Sequence, residues 1–231
     1  MIIKKNEEEI ENIRKACQIA AKVLHSAGKE AKPGVKTKQL DSFIETELVK
    51  NGAKPAFKGY RGYRHASCLS VNNEVVHGIP SDRQLSDGDI IGIDIGAIYK
   101  GFYGDVAQTF PVGHISKSAK KLLQTTKECL EKGIQAVKNG KRIGDLSHVI
   151  EEHAASHGYS VVKDLFGHGV GKHLHEDPLI PNFGKSGEGP KIESGMTFAI
   201  EPMLNIGESA IETLDDGWTV VTADGSLSAH F

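Results

Sequence analysis

Two stretches of this chain repeat each other, and that restricts its fold more than any single motif does. The segment KPGVKTKQLDSFIE from Lys32 aligns with KNGKRIGDLSHVIE from Lys138 at an offset of 106 residues, matching Gly34 with Gly140, Leu40 with Leu146 and Ile44 with Ile150. Further on, GDIIGID from Gly88 aligns with GMTFAIE from Gly195 at an offset of 107, which sets Asp94 against Glu201. Two matches in the same order at nearly one offset point to a duplicated unit, and a period of about 100 residues is far longer than that of solenoid repeats. The expectation is an α+β protein with one domain over residues 1–231. Its two pseudo-symmetric halves, approximately 1–110 and 111–231, share an antiparallel sheet flanked by helices, with a site between them.

Local signals fit that frame. Asn6 followed by Glu9 is a capping box, and Ile10, Ile13, Cys17, Ala20 and Leu24 recur at steps of three and four, so a first helix follows. Pro33-Gly34 breaks the chain; Thr37 opens a second helix with Leu40, Phe43, Ile44 and Leu48 inward, closed at Asn51-Gly52. Asp89 to Phe110 reads as a strand pair turning near Tyr99-Lys100-Gly101, and helices are expected from about Ser118 to Val137 and from about Asp145 to His157. Tyr60 to His77 is rich in aromatic and small residues and has no helical period.

Composition narrows the class of protein. With 39% hydrophobic and 25% charged residues the chain is neither disordered nor membrane-embedded, and no apolar run reaches the roughly 18 residues of a spanning helix. The opening MIIKKNEEEI lacks the apolar stretch of a signal peptide. A net charge of −2 removes the main argument for DNA or RNA as a partner. Cys17, Cys68 and Cys129 are too few and too scattered for a disulfide framework, so a cytoplasmic location is expected.

The chemistry gathers around acidic residues and histidines. Asp94 interrupts Ile90-Ile-Gly-Ile-Asp-Ile95, a run otherwise suited to a buried strand, and Asp105 follows the turn. A turn centred on Tyr99-Lys100 makes the two aspartates face each other, and one centred on Lys100-Gly101 makes them diagonal neighbours; either way they share one face. Like charges so placed require a proton or a cation between them. His168 stands among alternating glycines in Phe166-Gly-His-Gly-Val-Gly171, followed by His173 and His175, which share a face if that segment is extended. Pro202 stops the strand that Glu201 ends, and His77 sits where Val75-Val76 runs into Gly78-Ile79-Pro80. Two aspartates, a glutamate and histidines from separated segments suit Mn, Fe, Co or Zn better than a thiolate site would.

These residues resemble a known family. Cys68-Leu-Ser-Val-Asn-Asn-Glu-Val-Val-His77-Gly-Ile-Pro80, Ile93-Asp94, Gly101-Phe-Tyr-Gly-Asp105, Gly167-His168-Gly-Val-Gly171, His175-Glu-Asp-Pro178, Met196-Thr-Phe-Ala-Ile-Glu201-Pro-Met203 and Asp216-Gly-Trp218 are similar, in order and spacing, to the type I methionine aminopeptidases in their short bacterial form. The resemblance covers essentially the whole chain. It implies a pita-bread fold forming one catalytic domain. It also implies two divalent metal ions (Co, Mn, Fe, Zn or Ni) held by Asp94, Asp105, His168 and Glu201, with Asp105 bridging. His77 and His175 are then catalytic and substrate-contacting, Glu201 doubles as general base, and Tyr60, Tyr63, Cys68, Met203 and Trp218 line the methionine pocket. The implied reaction removes an N-terminal methionine from a peptide or nascent protein when the next residue is small. Attack is by metal-activated hydroxide, with His175 stabilising the oxyanion. A monomer with transient ribosome contact is the implied state.

Two departures from the family pattern matter. Leu174 stands where an aromatic residue commonly precedes the second histidine. The family also has a further glutamate ligand just after Ser226-Leu-Ser-Ala229-His-Phe231, the position at which this sequence stops. A C-terminally truncated chain with a weakened second metal site is therefore the expectation. The rival readings are a proline-directed peptidase of the same fold and a catalytically impaired binding protein on this scaffold. The short length and the Tyr60–Cys68 segment speak against the first, and retention of four acidic and histidine ligands speaks against the second.

Overall fold

A computed structural model describes residues 1–231. Four helices, α1 (Glu7–Glu30), α2 (Thr37–Lys50), α3 (Lys117–Ala136) and α4 (Ile143–Ser156), pack around short antiparallel strands. α1 starts on the expected capping box: the Glu9 amide donates to the Asn6 side chain at 2.9 Å, and the Asn6 amide donates to the Glu9 carboxylate at 3.0 Å. Its buried stripe is Ile13, Ala16, Ile19, Ala20, Val23, Leu24 and Ala27, with Ile10 and Cys17 at the margin.

The hairpin Ile90–Tyr99/Phe102–Pro111 is the frame on which the rest is hung. Its first strand also pairs with Ser67–Val71 and with Lys54–Pro55. Lys100 (φ 48°) and Gly101 (φ 82°) occupy the turn, both left-handed as a two-residue I′ turn requires. That choice pairs Asp94 with Ala107 and Gly96 with Asp105, so the aspartates are diagonal neighbours on one face. Alternation along the first strand divides its residues: Ile91, Ile93 and Ile95 join α1 and α2 in one hydrophobic core. Asp94 turns the other way, flanked on its own face by Gly92 and Gly96, which leave it room.

A second core joins α3 and α4 through Leu122, Cys129, Leu146 and Ile150 to Leu204 and Phe231. The remaining pairings form three further three-stranded antiparallel sheets rather than one continuous sheet. Pro202 separates Phe198–Ala199 from Met203–Asn205, because a residue without an amide proton cannot continue the ladder. A register shift between His168 and Gly169 breaks another row. The Tyr60–His77 region holds a single 3₁₀ turn and the strands Ser67–Val71 and Glu74–Val76, the second of them the strand expected to run into a turn at His77.

Positions aligned by the repeat carry matching backbone. Gly34 and Gly140 have φ of 88° and 89°, and Gly88 and Gly195 have 100° and 90°. The Lys36 amide donates to Gln39 at 3.0 Å as α2 begins, and the Arg142 amide donates to Asp145 at 2.8 Å as α4 begins. Two copies of one unit would share these caps, and we propose the duplication on that basis.

α1 lies close against the hairpin where Gly104 offers no side chain. A Cβ at Gly104 would stand 2.5 Å from the Cys17 nitrogen and 2.7 Å from the Ala16 carbonyl carbon, both backbone atoms that cannot swing aside. Gly104→Ala is expected to destabilise the fold by about 1–3 kcal/mol, read as a lower urea midpoint with unchanged slope.

Candidate active site

Three strands and one loop bring the acidic and histidine residues together. Asp94 and Asp105 come from the hairpin, His168 from Gly167–Gly169, and Glu201 from the end of Phe198–Ala199, which pairs with the His168 strand. Nε2 of His168 lies 3.1 Å from Glu201 Oε1 and 3.8 Å from Asp105 Oδ2. Its Nδ1 is 2.9 Å from the Gly169 carbonyl, which fixes the ring and turns Nε2 toward the carboxylates. Asn182 donates to the Glu201 carbonyl at 2.8 Å and so pins the backbone where the strand ends.

His230 is a member of this cluster that sequence reasoning missed. The strand Ser228–His230 pairs with Met203–Asn205 directly after Pro202, which places His230 Nε2 3.5 Å from Glu201 Oε2. Thr109 holds it there: the Thr109 hydroxyl donates to the His230 carbonyl and the His230 amide donates to the hydroxyl, both at 2.9 Å. Its nearness to the Ser226–Ala229 motif was the available signal.

The electrostatics follow from burial with imidazoles, and no lysine or arginine, as ion-pair partners. Burial, and then the charges of Asp105 and Glu201, push the Asp94 carboxyl well above the usual carboxylate range. Asp105 is likewise pushed up, by burial and by Glu201. Burial opposes the charge on Glu201 as well, yet the imidazoles of His168 and His230 beside it outweigh that and hold it below the ordinary range. For His168, burial works against the cation, but Glu201 and Asp105 raise it to about 9.

A cavity of about 170 Å³ opens on one side of this cluster, lined by Phe57, Tyr60, Tyr63, Cys68, Leu174 and Trp218 besides His77, His175 and the acidic residues. Cys68 stands opposite Asp94 in the sheet register, so the pocket wall and the acidic cluster lie side by side on one sheet face. Trp218 packs edge-on against Tyr63, with centroids 4.9 Å apart. His77 has φ 59°, a left-handed conformation rare for a non-glycine residue, and its ring stands edge-on to Trp218 at 6.4 Å. Burial lowers the affinity of His77 for a proton. His175 is lowered to about 4, by burial and then by the charge of His168. Its Nδ1 is 2.8 Å from the Tyr60 hydroxyl.

Not every expected residue reaches the cavity. Met203 is buried among Val75, Val76, Val162 and Val220, behind the strand leading to His77. His173 is exposed, and residues 171–175 form a bend rather than an extended strand, so His173 and His175 do not share a strand face. Leu174 is buried with Phe57, Tyr63 and Cys68 and contributes to the wall itself.

Residues 11–224 match the family model described as metallopeptidase family M24. The chain is 49% identical to methionine aminopeptidase of Clostridium perfringens over 231 residues, covering 100% of this chain and 93% of that protein. It is 50% identical to methionine aminopeptidase 1 of Bacillus subtilis, with the same coverage of 100% and 93%. The crystal structure of methionine aminopeptidase from Thermotoga maritima superposes with a TM-score of 0.99 at 46% identity, covering 100% of this chain and 93% of that one. The chain belongs to metallopeptidase family M24, among its methionine aminopeptidases. Prolidase from Pyrococcus furiosus shares the M24 pita-bread fold more distantly, with a TM-score of 0.78 at 27% identity over 98% of this chain and 61% of that one.

Family M24 membership makes the chain a metal-dependent hydrolase, and its residues fit divalent metal. Glu201 Oε1 and His230 Nε2 are buried without a hydrogen-bond partner; His168 Nε2 approaches Oε1 without the alignment of a hydrogen bond. Buried polar atoms seldom stay unpaired, and a set of carboxylate oxygens with imidazole nitrogen is the donor chemistry that divalent ions take.

The bend carrying His175 is anchored by a buried ion pair. Lys5 Nζ donates to Glu176 Oε2 at 2.7 Å, with the two side chains 3% and 4% exposed, and Glu176 Oε1 accepts from the His173 amide at 3.0 Å. Burial opposes the Glu176 charge, but these hydrogen bonds outweigh it and hold the carboxyl below its ordinary 4.5. Lys5→Met strands that carboxylate and is expected to cost about 3–5 kcal/mol at neutral pH in urea unfolding. Because the folded pKa is lowered, the contribution is present above 4.5 and lost as pH falls through the folded value, so wild type and Lys5→Met should converge in acid.

Proposed function

We propose that this chain removes the N-terminal methionine from peptides and nascent proteins whose second residue is small, using two divalent ions held by Asp94, Asp105, His168 and Glu201. The observation that carries the reading is the contact between pocket and cluster. A cavity of about 170 Å³, walled on one side by Phe57, Tyr60, Tyr63, Trp218 and the Cys68 sulfur, opens directly on the carboxylates. Such a pocket suits an unbranched thioether side chain, and one residue's depth brings the first peptide bond to the acidic cluster. The free thiols of Cys17, Cys68 and Cys129 support a reducing, cytoplasmic setting.

Divalent metal at these residues supplies Lewis-acid polarisation of the scissile carbonyl and acidifies a water molecule. The protein's own groups do the rest. Glu201, presented at the end of its strand beside His168, is placed to accept a proton as general base. His175 is neutral near pH 7; with the Tyr60 hydroxyl donating to Nδ1, its proton stays on Nε2, where it donates to the developing oxyanion. Tyr60 thus acts as a positioning residue. His77, also neutral and braced against Trp218, is placed to contact the scissile amide nitrogen.

The test is release of methionine from a Met-Ala-Ser peptide by metal-loaded protein, with an Xaa-Pro dipeptide as the control for the prolidase-like alternative. Glu201→Gln should lower kcat by about 100- to 10,000-fold while KM changes little. Cleavage of the Xaa-Pro substrate but not of Met-Ala-Ser, or full activity of Glu201→Gln, would overturn the assignment.

A further inference from the structure

A second group of metal-binding side chains lies outside the cluster described above. Glu128 projects from α3, and His153 and His157 project from the last turn and C-cap of α4. The helices are locked side by side here: the Cys129 thiol, next to Glu128, donates to the Ile150 carbonyl at 3.6 Å. The two histidines are four residues apart and therefore on one helical face. Their rings are 4.4 Å apart between centroids, and one ligand atom from each of the three residues lies within 4.8 Å of the others.

Hydrogen bonds already orient this trio. Nε2 of His153 stands 2.9 Å from Glu128 Oε2. Nδ1 of His157 is 2.9 Å from the His153 carbonyl; donation there keeps the proton on Nδ1 and leaves the Nε2 lone pair free. An outer hydrogen bond that fixes the ring in this way is the usual partner of a metal-ligating histidine. The Glu128 carboxyl is held below its ordinary range by hydrogen bonds from Gln124 and then His153, so it is available as an anion. Side-chain exposures of 14% for His153 and 33% for Glu128 leave an opening for an entering ion and a remaining water ligand.

We infer that Glu128, His153 and His157 form a separate binding site for a divalent ion of the zinc class, clamping α3 to the end of α4. Two imidazole nitrogens and one carboxylate oxygen with a fourth position open are a donor set that Zn²⁺ accepts. Bonds of about 2.0–2.2 Å in a tetrahedral arrangement place ligand atoms about 3.3 Å apart, and the ligand atoms of these three residues already lie within 4.8 Å of one another. A cation at the C-terminal turn of α4 also meets the negative end of the helix dipole. The site is independent of the reaction assigned above, since none of its residues belongs to the carboxylate cluster or the cavity.

The experiment is zinc titration of the full chain by calorimetry, alongside zinc-dependent thermal unfolding, for wild type, His157→Ala and Glu128→Gln. Wild type is expected to bind one more zinc equivalent than His157→Ala, or to bind that equivalent about 10-fold or more tightly. Its zinc-induced rise in Tm should exceed that of both variants, while Mn²⁺-supported turnover stays the same in all three. Equal stoichiometry, affinity and zinc-induced Tm shift in wild type and both variants would show that the trio is only a hydrogen-bonded helix contact. Should His157→Ala unfold, Glu128→Gln alone decides the question, because it keeps the side-chain volume and removes only the anionic ligand.

Discussion

Asp94, Asp105 and Glu201 lie together in the interior with only imidazoles for company, and no lysine or arginine forms an ion pair with them. Three carboxyl groups set this close together raise the free energy of the fold unless protons, imidazolium groups or a cation offset them, so the surrounding structure has to impose the arrangement. The hairpin does so by register: a turn on Lys100-Gly101 fixes the diagonal placement of the two aspartates, and the isoleucines on the opposite face commit that strand to the first core. Glu201 is brought up by the paired strand of His168 and is stopped there by Pro202. The mutual repulsion is relieved by protons or by a cation, and Glu201 Oε1 and His230 Nε2, buried without hydrogen-bond partners, are the atoms most suited to meet one.

Lys5 and Glu176 show the opposite arrangement a short distance along the chain. That pair is more deeply buried, yet each charge has its complement and the spare carboxylate oxygen accepts a backbone amide. Its work is mechanical: it ties the N-terminal segment to the bend preceding His175, while the Tyr103 amide donates to the Gly171 carbonyl at 2.8 Å from the hairpin side. The same molecule therefore uses a lysine–glutamate pair for positioning and a carboxylate–imidazole cluster for chemistry.

What could be read from the sequence was what short-range physics decides. The capping box of Asn6 and Glu9, the hairpin's alternation and the misfit of Asp94 in an apolar run are all local, and each appears in the structure where the sequence puts it. The hairpin turn was ambiguous because Lys100 takes a left-handed φ, which its residue type does not advertise. Ser67–Val71 was not recognised because it exists through pairing with a distant strand. His230 escaped notice for the same reason: only the register Met203 to His230 brings it to Glu201. The family resemblance implies Met203 in the pocket wall, whereas the strand after Pro202 turns its side chain into an apolar cluster of valines.

The central claim is that divalent metal is what the carboxylate cluster is built to hold, at some expense to the metal-free fold. Thermal unfolding of metal-stripped wild type and Asp105→Asn, with and without Mn²⁺, an ion that favours oxygen ligands, tests it most directly. The account predicts that Asp105→Asn is at least as stable as wild type without metal, because one buried carboxylate has been removed, and that Mn²⁺ raises the Tm of wild type far more than that of the variant. A metal-free Asp105→Asn chain less stable than wild type, or an equal response of the two to Mn²⁺, would contradict it.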